Sequence, residues 1–357
     1  MEKKIGYAVV GLGIGQSHVD AVYANPKADL IAVCDLRQDR IDEATENHPE
    51  VRQYLDFDEM LKNPDIDIIS ICLPSAMHAD FACRAMRSGK NVLIEKPIDI
   101  TPESAMEIEK VRLETGMKAG VVHQNRNNSC MHIFKDAIDA GRLGKIFLGT
   151  FAVKWYRTQD YYNGWHGTWD MDGGGSLINQ AVHTVDIMQW LMGDVESVTS
   201  TMDIVDHDIE TEDMTATLVK FKSGAAGTFV TTTCAYPGIC TAVELYGTGG
   251  TVEVDYDVLK TWKMKEFSEE FAEKHGLDAF DAEDEEEEII EKFGSNNALQ
   301  KAFPGTEVGH RSVVNDMIDA VLNDRDPAIM PLEAIKSVKI VNAIYESAKT
   351  GHTVYIK

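Results

Sequence analysis

The stretch that decides the fold opens the chain: Ile5-Gly6-Tyr7-Ala8-Val9-Val10, then Gly11-Leu12-Gly13-Ile14-Gly15, then Gln16-Ser17-His18-Val19. Six residues with little polar alternation read as a strand buried on both faces. Three glycines then permit a tight turn, and residues 17–23 are amphipathic in the manner of a helix. Backbone amides at a helix N-terminus attract an anion, and glycines let a pyrophosphate come close. The standard fingerprint places its third glycine one residue later, where this chain has Gln16. In isolation an ordinary strand–helix turn reads the same way. The context decides for a dinucleotide: a second apolar run ends at Asp35, 22 residues after Gly13. A carboxylate there binds a ribose hydroxyl and repels a 2′-phosphate. NAD is therefore the expected cofactor, held by Gly11, Gly13, Ile14, Gly15 and Asp35, with NADP second because Arg37 lies close.

Working outward, apolar runs at 5–10, 30–34, 66–73, 91–95 and 117–123 alternate with helical stretches, of which 102–115 opens with a Thr101 cap and Pro102. Repeated strand–helix units imply a doubly wound parallel sheet. After about residue 125 the texture changes to strands without intervening helices, and Gly247-Thr248-Gly249-Gly250 reads as a hairpin turn. The chain is expected to be α/β, with a Rossmann domain at 1–125 and an α+β domain at 126–357 built on a large, mostly antiparallel open sheet. The C-terminal helix is expected to pack back on the first domain.

The 357 residues carry 34 Lys+Arg against 59 Asp+Glu, a net charge of −25. Such a chain repels phosphate backbones and anionic membranes, so neither nucleic acid nor membrane is an expected partner. Eleven of those charges fall within residues 266–292. The acidic segment at about 265–300 lacks a strong apolar face and reads as a solvated insertion or lid. Six cysteines without a Cys-x-x-Cys pair read as thiols in a reducing compartment. The charged start, Met1-Glu2-Lys3-Lys4, superficially mimics a signal peptide but runs into the glycine turn. The expected location is the cytoplasm.

In an open α/β sheet, ligands sit beyond the carboxyl ends of the strands. Leu73, Pro74 and His78 follow the third run, and Glu95-Lys96-Pro97 closes the fourth. All five of Leu73, Pro74, His78, Glu95 and Lys96 are cofactor-facing candidates, and Lys96 is placed to face the reactive ring. A surface lysine in a turn is the plainer alternative. Gly173-Gly174-Gly175 leads into Ser176-Leu177-Ile178-Asn179-Gln180-Ala181-Val182-His183-Thr184-Val185-Asp186. At about 100° per residue, Asn179, His183 and Asp186 share one stripe of an otherwise apolar helix. A buried polar stripe needs partners, which a ligand pocket supplies; a satisfied core histidine is the competing reading. Aromatic residues beside hydrogen-bonding groups suit a ligand with an apolar face and a polar rim. They make His123, Asn125, Arg126, Trp155, Tyr156, Arg157, Tyr162, Trp165, His166 and Trp169 substrate candidates. His166, Asp170, Asp172 and His183 lack a tight ligand spacing, so no metal is expected.

Lys96 within Glu-Lys-Pro, and Asn179 and His183 within the glycine-led helix, resemble the Gfo/Idh/MocA oxidoreductases (glucose–fructose oxidoreductase, inositol dehydrogenase, rhizopine catabolism). His123-Gln124-Asn125-Arg126-Asn127, Tyr161-Tyr162, Trp165-His166-Gly167-Thr168-Trp169 and the terminal Asn342-Ala343-Ile344-Tyr345 extend the resemblance nearly end to end. It implies hydride transfer between NAD(P) and a secondary hydroxyl of a sugar, polyol or glycoside. Lys96 and His183 would be catalytic and Asn179, often Asp in the family, would orient substrate. It also implies a homodimer or homotetramer through the C-terminal sheet. The alternatives are an enzyme that holds and recycles its NAD, acting on glycosides or between two sugars, and a non-catalytic sensor.

Overall fold

The computed structural model describes residues 4–357; the charged start, residues 1–3, lies outside them. The chain divides into two compact units. The first takes in the chain up to Gln124 together with 170–173 and 309–338. The second takes in 125–169, 174–308 and 339–357.

The first unit holds strands β1 (Ile5–Val10), β2 (Ala28–Cys34), β3 (Arg52–Tyr54), β4 (Ile68–Ile71), β5 (Asn91–Ile94) and β6 (Ala119–Val121). All pair in parallel, in the order β3-β2-β1-β4-β5-β6. Alternate residues of β1 enter two separate cores. Ala8 and Val10 join Ile69, Ile71, Val92 and Ile94 on one face, and Tyr7 and Val9 join Val19, Val22 and Met317 on the other. Both faces are thus covered by helices, which is why these strands show no polar alternation in sequence. The strand order reverses direction between β1 and β4, the place where ligands bind in doubly wound sheets.

The second unit contains β7 (Ile146–Lys154), β8 (Val195–Asp203), β9 (Met214–Phe221), β10 (Ala226–Thr232), β11 (Cys240–Gly247), β12 (Gly250–Asp255), β13 (Val258–Met264) and β14 (Val354–Tyr355). They form one sheet in the order β13-β12-β11-β7-β10-β9-β8-β14, antiparallel except for the β7–β10 pair. One face is buried through Thr217, Val219, Phe221 and Phe229, while Leu218 on the other face is exposed. Among the described residues no helix is long and apolar enough to cross a membrane.

The acidic segment differs from its expectation. It forms helices Glu269–Lys274, Ala282–Phe293 and Asn296–Ala302, with Ser268, Asp281 and Ser295 accepting amide bonds as N-caps. Most of its carboxylates are exposed, but the segment is not solvated on every side. Glu285, Ile289 and Phe293 recur every fourth residue and are buried, as are Phe271 and Ala272. The stripe escapes notice in sequence because one of its members is a carboxylate. Glu285 accepts from Arg142 Nη2 at 3.0 Å and from Trp262 Nε1 at 3.1 Å, so the charge is paired inside the unit. Replacing Arg142 with Ala strands that buried carboxylate and is expected to cost about 3–5 kcal/mol in chemical denaturation. A loss below about 1 kcal/mol, the value of an exposed pair, would contradict the assignment.

Candidate active site

The glycine turn is shaped by what a side chain would meet. Gly11 has φ +83°, and a Cβ there would come within 2.2 Å of the Cys72 carbonyl oxygen. Gly15 is buried, and its Cβ would lie 2.9 Å from Val9. Gly13 instead meets only Arg40 Nη1 at 3.6 Å and is exposed. The first and third glycines therefore allow close packing, while the second leaves an open cradle at a helix N-terminus that fits a pyrophosphate. The early third glycine is thus accommodated, because Gly15 starts the helix Gly15–Tyr23 against β1. Ile14 is exposed beside the cradle. Asp35 accepts from the Leu12 amide at 2.7 Å and from the Arg37 amide at 2.9 Å, which ties the turn to the end of β2. Arg37 is drawn to Asp39. Arg40, which sequence reading passed over, lies 3.7 Å from Asp35 and reaches the cradle.

Lys96 follows β5, and the Lys96–Pro97 peptide is cis. Burial pulls its ammonium below the ordinary lysine value, against the raising effect of the carboxylates of Glu95 and Asp172. Asp172, weighed in the sequence only as a metal ligand, is buried in the segment 170–173, where Met171 accepts a bond from the Ala76 amide. Glu95 does not face outward. His18 Nε2 lies 2.9 Å and His310 Nε2 3.2 Å from its Oε1, and its Oε2 accepts from the Lys96 amide at 3.1 Å. Burial alone would raise this carboxyl, but the two histidines hold it well below the usual carboxylate range. Ser70 Oγ lies 2.8 Å from His18 Nδ1 and 2.7 Å from Tyr7 Oη. One tautomer satisfies the whole chain, with Tyr7 donating to Ser70, Ser70 to His18 and His18 to Glu95. Leu73 and Pro74 are half-buried in the loop after β4. His78 is buried between two loops, its Nδ1 2.7 Å from the Pro97 carbonyl and its Nε2 2.8 Å from the Leu73 carbonyl; burial lowers its pKa, and the neutral ring donates to one of the two. His123 is buried in this unit.

In the second unit the expected single helix is broken. Residues Ser176–Gln180 form a wide π turn, and the α-helix begins afresh as Val182–Met192. A constant 100° therefore does not carry from Asn179 to His183, which is half-buried in the new helix's first turn. His183 and Asp186 stay on one side of the new helix, three residues apart. Arg126 forks onto the two oxygens of Asp186 at 2.6 and 2.7 Å, so Arg126 too is engaged in the interior. The turn is required by a close approach. A Cβ on Gly174 would lie 2.0 Å from Tyr345 Oη, and one on Gly175 1.9 Å from the Glu212 carbonyl oxygen. The Glu212 carboxylate then accepts from the amides of Gly175 and Leu177 at 2.9 and 2.8 Å.

The turn presents Asn179 to a compact polar and aromatic group. Tyr161 donates to Asn179 Oδ1 at 3.0 Å, and Asn179 Nδ2 lies 3.1 Å from His166 Nδ1. Gln180, missed in sequence although adjacent to Asn179, donates to Asn179 Oδ1 at 2.7 Å and accepts from Arg157 Nη2 at 2.8 Å. Tyr161 stacks on His166 at 4.5 Å, and Trp165 lies 3.9 Å from the same ring. Tyr162 packs edge-on against Tyr161 at 5.1 Å. Tyr162 is buried, with its hydroxyl 2.7 Å from Thr233 Oγ1. Tyr156 packs edge-on against Tyr236, and Trp169 against Tyr345. Asn125 is half-buried just after the boundary between the units. Of His166, Asp170, Asp172 and His183, the two aspartates belong to the first unit and the two histidines to the second.

Residues 5–123 match the family described as "Oxidoreductase family, NAD-binding Rossmann fold", and residues 131–253 match the "GFO/IDH/MocA C-terminal domain". The chain belongs to the GFO/IDH/MocA oxidoreductase family. It is 28% identical to scyllo-inositol 2-dehydrogenase (NAD(+)) of Bacillus subtilis (strain 168) over 267 residues, 71% of this chain and 74% of that one. The WlbA dehydrogenase from Chromobactrium violaceum, solved in complex with NADH and UDP-GlcNAcA, is similar in structure. Its TM-score is 0.87 at 29% identity, covering 100% of this chain and 97% of that one. The Bordetella pertussis WlbA dehydrogenase, in complex with the same two molecules, gives 0.86 at 28%, covering 100% and 99%. As a GFO/IDH/MocA member the chain is an NAD-binding oxidoreductase. Membership favours neither a non-catalytic sensor nor a recycled cofactor.

Two expectations follow from this geometry. Gly13→Val should weaken NAD binding by at least about tenfold while leaving the melting temperature in place. Gly11→Ala should lower the melting temperature, because its Cβ meets backbone; a reversed pattern in titration and melting would refute the cradle. Burial, opposed by its backbone partners, pushes the Glu212 carboxyl up to about 7. That exceeds the unfolded value of ~4.3, so the folded state loses stability from this group as pH rises towards 7. Denaturation of wild type and Glu212→Gln at pH 5 and pH 8 should show the wild type's relative stability falling by about 3 kcal/mol. A gap that stays constant with pH would count against it.

Proposed function

We propose that this enzyme oxidises or reduces a secondary carbon of a sugar, polyol or glycoside with NAD, the first unit holding the cofactor and the second the substrate. The observation that carries this reading is Lys96. An amine pulled down by burial, with its main-chain amide fixed by Glu95, stands at the end of β5 in an NAD-binding sheet. Names of similar proteins add support, since they include scyllo-inositol and myo-inositol 2-dehydrogenases. Leu73, Pro74 and Ile14 line the proposed nucleotide side, with Gly11, Gly13, Gly15, Asp35 and Arg40.

In the oxidative direction the alcohol C–H bond breaks with its electron pair, a C=O bond forms, and the hydroxyl proton leaves. NAD, when bound, supplies the acceptor for the hydride. His183 takes the proton, since imidazole titrates near working pH without extensive tuning. Lys96 donates a hydrogen bond to the oxygen as negative charge develops there; burial makes its proton more acidic and that bond stronger. Asn179 has no charge to share, and it holds a neighbouring hydroxyl by hydrogen bonds. Trp165, His166 and Tyr161 offer a sugar its apolar face and polar rim together. His123, Asn125, Arg126, Tyr156 and Tyr162 are the further substrate-facing candidates of this reading.

We further infer a cytoplasmic enzyme that assembles as a homodimer or homotetramer through the outward face of the eight-stranded sheet, where Leu218 is 64% exposed. Lys96→Ala and His183→Ala are each expected to slow single-turnover hydride transfer by ~10²-fold or more, followed at the reduced-nicotinamide absorbance. Near-normal rates in both variants would remove the mechanism.

A further inference from the structure

The second unit contains three arginines, Arg126, Arg142 and Arg157. Two of them pair with buried carboxylates, Arg126 forking onto Asp186 and Arg142 reaching Glu285 through Nη2. Arg157 differs. In a chain of net charge −25, no carboxylate among the described residues pairs with it. Its guanidinium donates only to neutral oxygens, Nη1 to the Tyr156 carbonyl at 3.2 Å and Nη2 to Gln180 Oε1 at 2.8 Å. Nε is buried with no hydrogen-bond partner. Of five N–H donors, these contacts use two.

The group is also held still. The Arg157 amide donates to the Thr233 carbonyl at 2.8 Å, and its own carbonyl lies 2.9 Å from His207 Nε2, a ring fixed in turn by Asp213. Trp155 covers one face at 4.9 Å, and Tyr161 packs against it at 5.3 Å. Such ring contacts compensate a partly buried cation less than a desolvated carboxylate does. A guanidinium packed by rings keeps its hydrogen bonding in its own plane, a geometry matched by a planar carboxylate better than by a tetrahedral phosphate. Through Gln180 and Tyr161 it is one residue removed from Asn179.

We propose that the substrate carries a carboxylate, as a uronic acid or its glycoside does, and that Arg157 is the residue that reads it. This rests on the proposed redox reading of the Asn179 site, and the test separates the two. Initial rates of NAD reduction are compared for glucuronate, glucose and glucose 6-phosphate, and for galacturonate and galactose. They are measured on the wild-type protein and on Arg157→Gln and Arg157→Lys. The expected result is that kcat/KM favours the uronates over their neutral parents by at least tenfold. That preference should collapse in Arg157→Gln and return in part with Arg157→Lys, which restores charge without the fork.

Oxidation of neutral sugars in preference to uronates would overturn the carboxylate and leave the dehydrogenase reading standing. Preference for the phosphate ester would overturn it in favour of another anion. An equal loss for uronate and neutral parent in Arg157→Gln would reduce Arg157 to a structural role. If no probe is oxidised, calorimetry with the NAD-loaded protein decides. Glucuronate binding that is lost in Arg157→Gln supports the proposal, and no binding, or binding equal to that of glucose, ends it.

Discussion

Backbone passing closer to its neighbours than a side-chain carbon allows is the constraint on which both halves of this enzyme depend. At Gly11 it lets the turn after β1 press on the Cys72 carbonyl where the strand order reverses. At Gly174 and Gly175 it lets the chain pass under Tyr345 and against Glu212 before opening into the π turn. A π turn leaves its residues out of α-helical register, and here that aims Asn179 and Gln180 at Tyr161 and His166 rather than along a helix axis. Gly13 belongs to the opposite class, because it is needed for the space it leaves and not for a contact it makes.

Around these turns the protein uses buried carboxylates as fixings. Glu95 is gripped by two histidines and holds the Lys96 amide. Glu212 gathers the amides of the glycine turn, Glu285 ties Arg142 and Trp262 beneath the acidic helices, and Asp186 secures Arg126. Each is satisfied by several donors, which is the condition for keeping such a charge or acid inside. The arrangement leaves Arg157 as the member of its set without an acid of its own.

Much of the architecture was legible in the sequence. Uninterrupted apolar runs joined by helices specify a parallel sheet, and a glycine turn with Asp35 at the right distance specifies a dinucleotide. Lys96 was legible because its position at a strand's carboxyl end is a topological fact. The carboxylates were not. Glutamate is nearly always exposed, and the partners that bury Glu95, Glu212 and Glu285 lie far away along the chain, so no local pattern marks them. The same blindness hid the apolar stripe of the acidic helices. The step from Asn179 to His183 was misjudged for another reason, since a fixed helical period cannot foresee a turn of different pitch, whereas His183 and Asp186 keep their helical spacing. Arg40 and Arg37 illustrate a third limit: which of two nearby cations points at a loop is decided by side-chain pairing, here Arg37 with Asp39.

The outermost strands of both sheets bear on how this chain behaves in a crowded solution. β3 and β6 are three residues long and β14 only two. The longer margin, β13, has its Leu259 amide taken by the Gly294 carbonyl, and Lys263 pairs with Glu286 of the acidic helix above it. Unsatisfied rows of amides and carbonyls are what recruit foreign strands into fibrils, and here each such row is cut short or capped. Growth by adding strands at the margins of either sheet is thereby disfavoured.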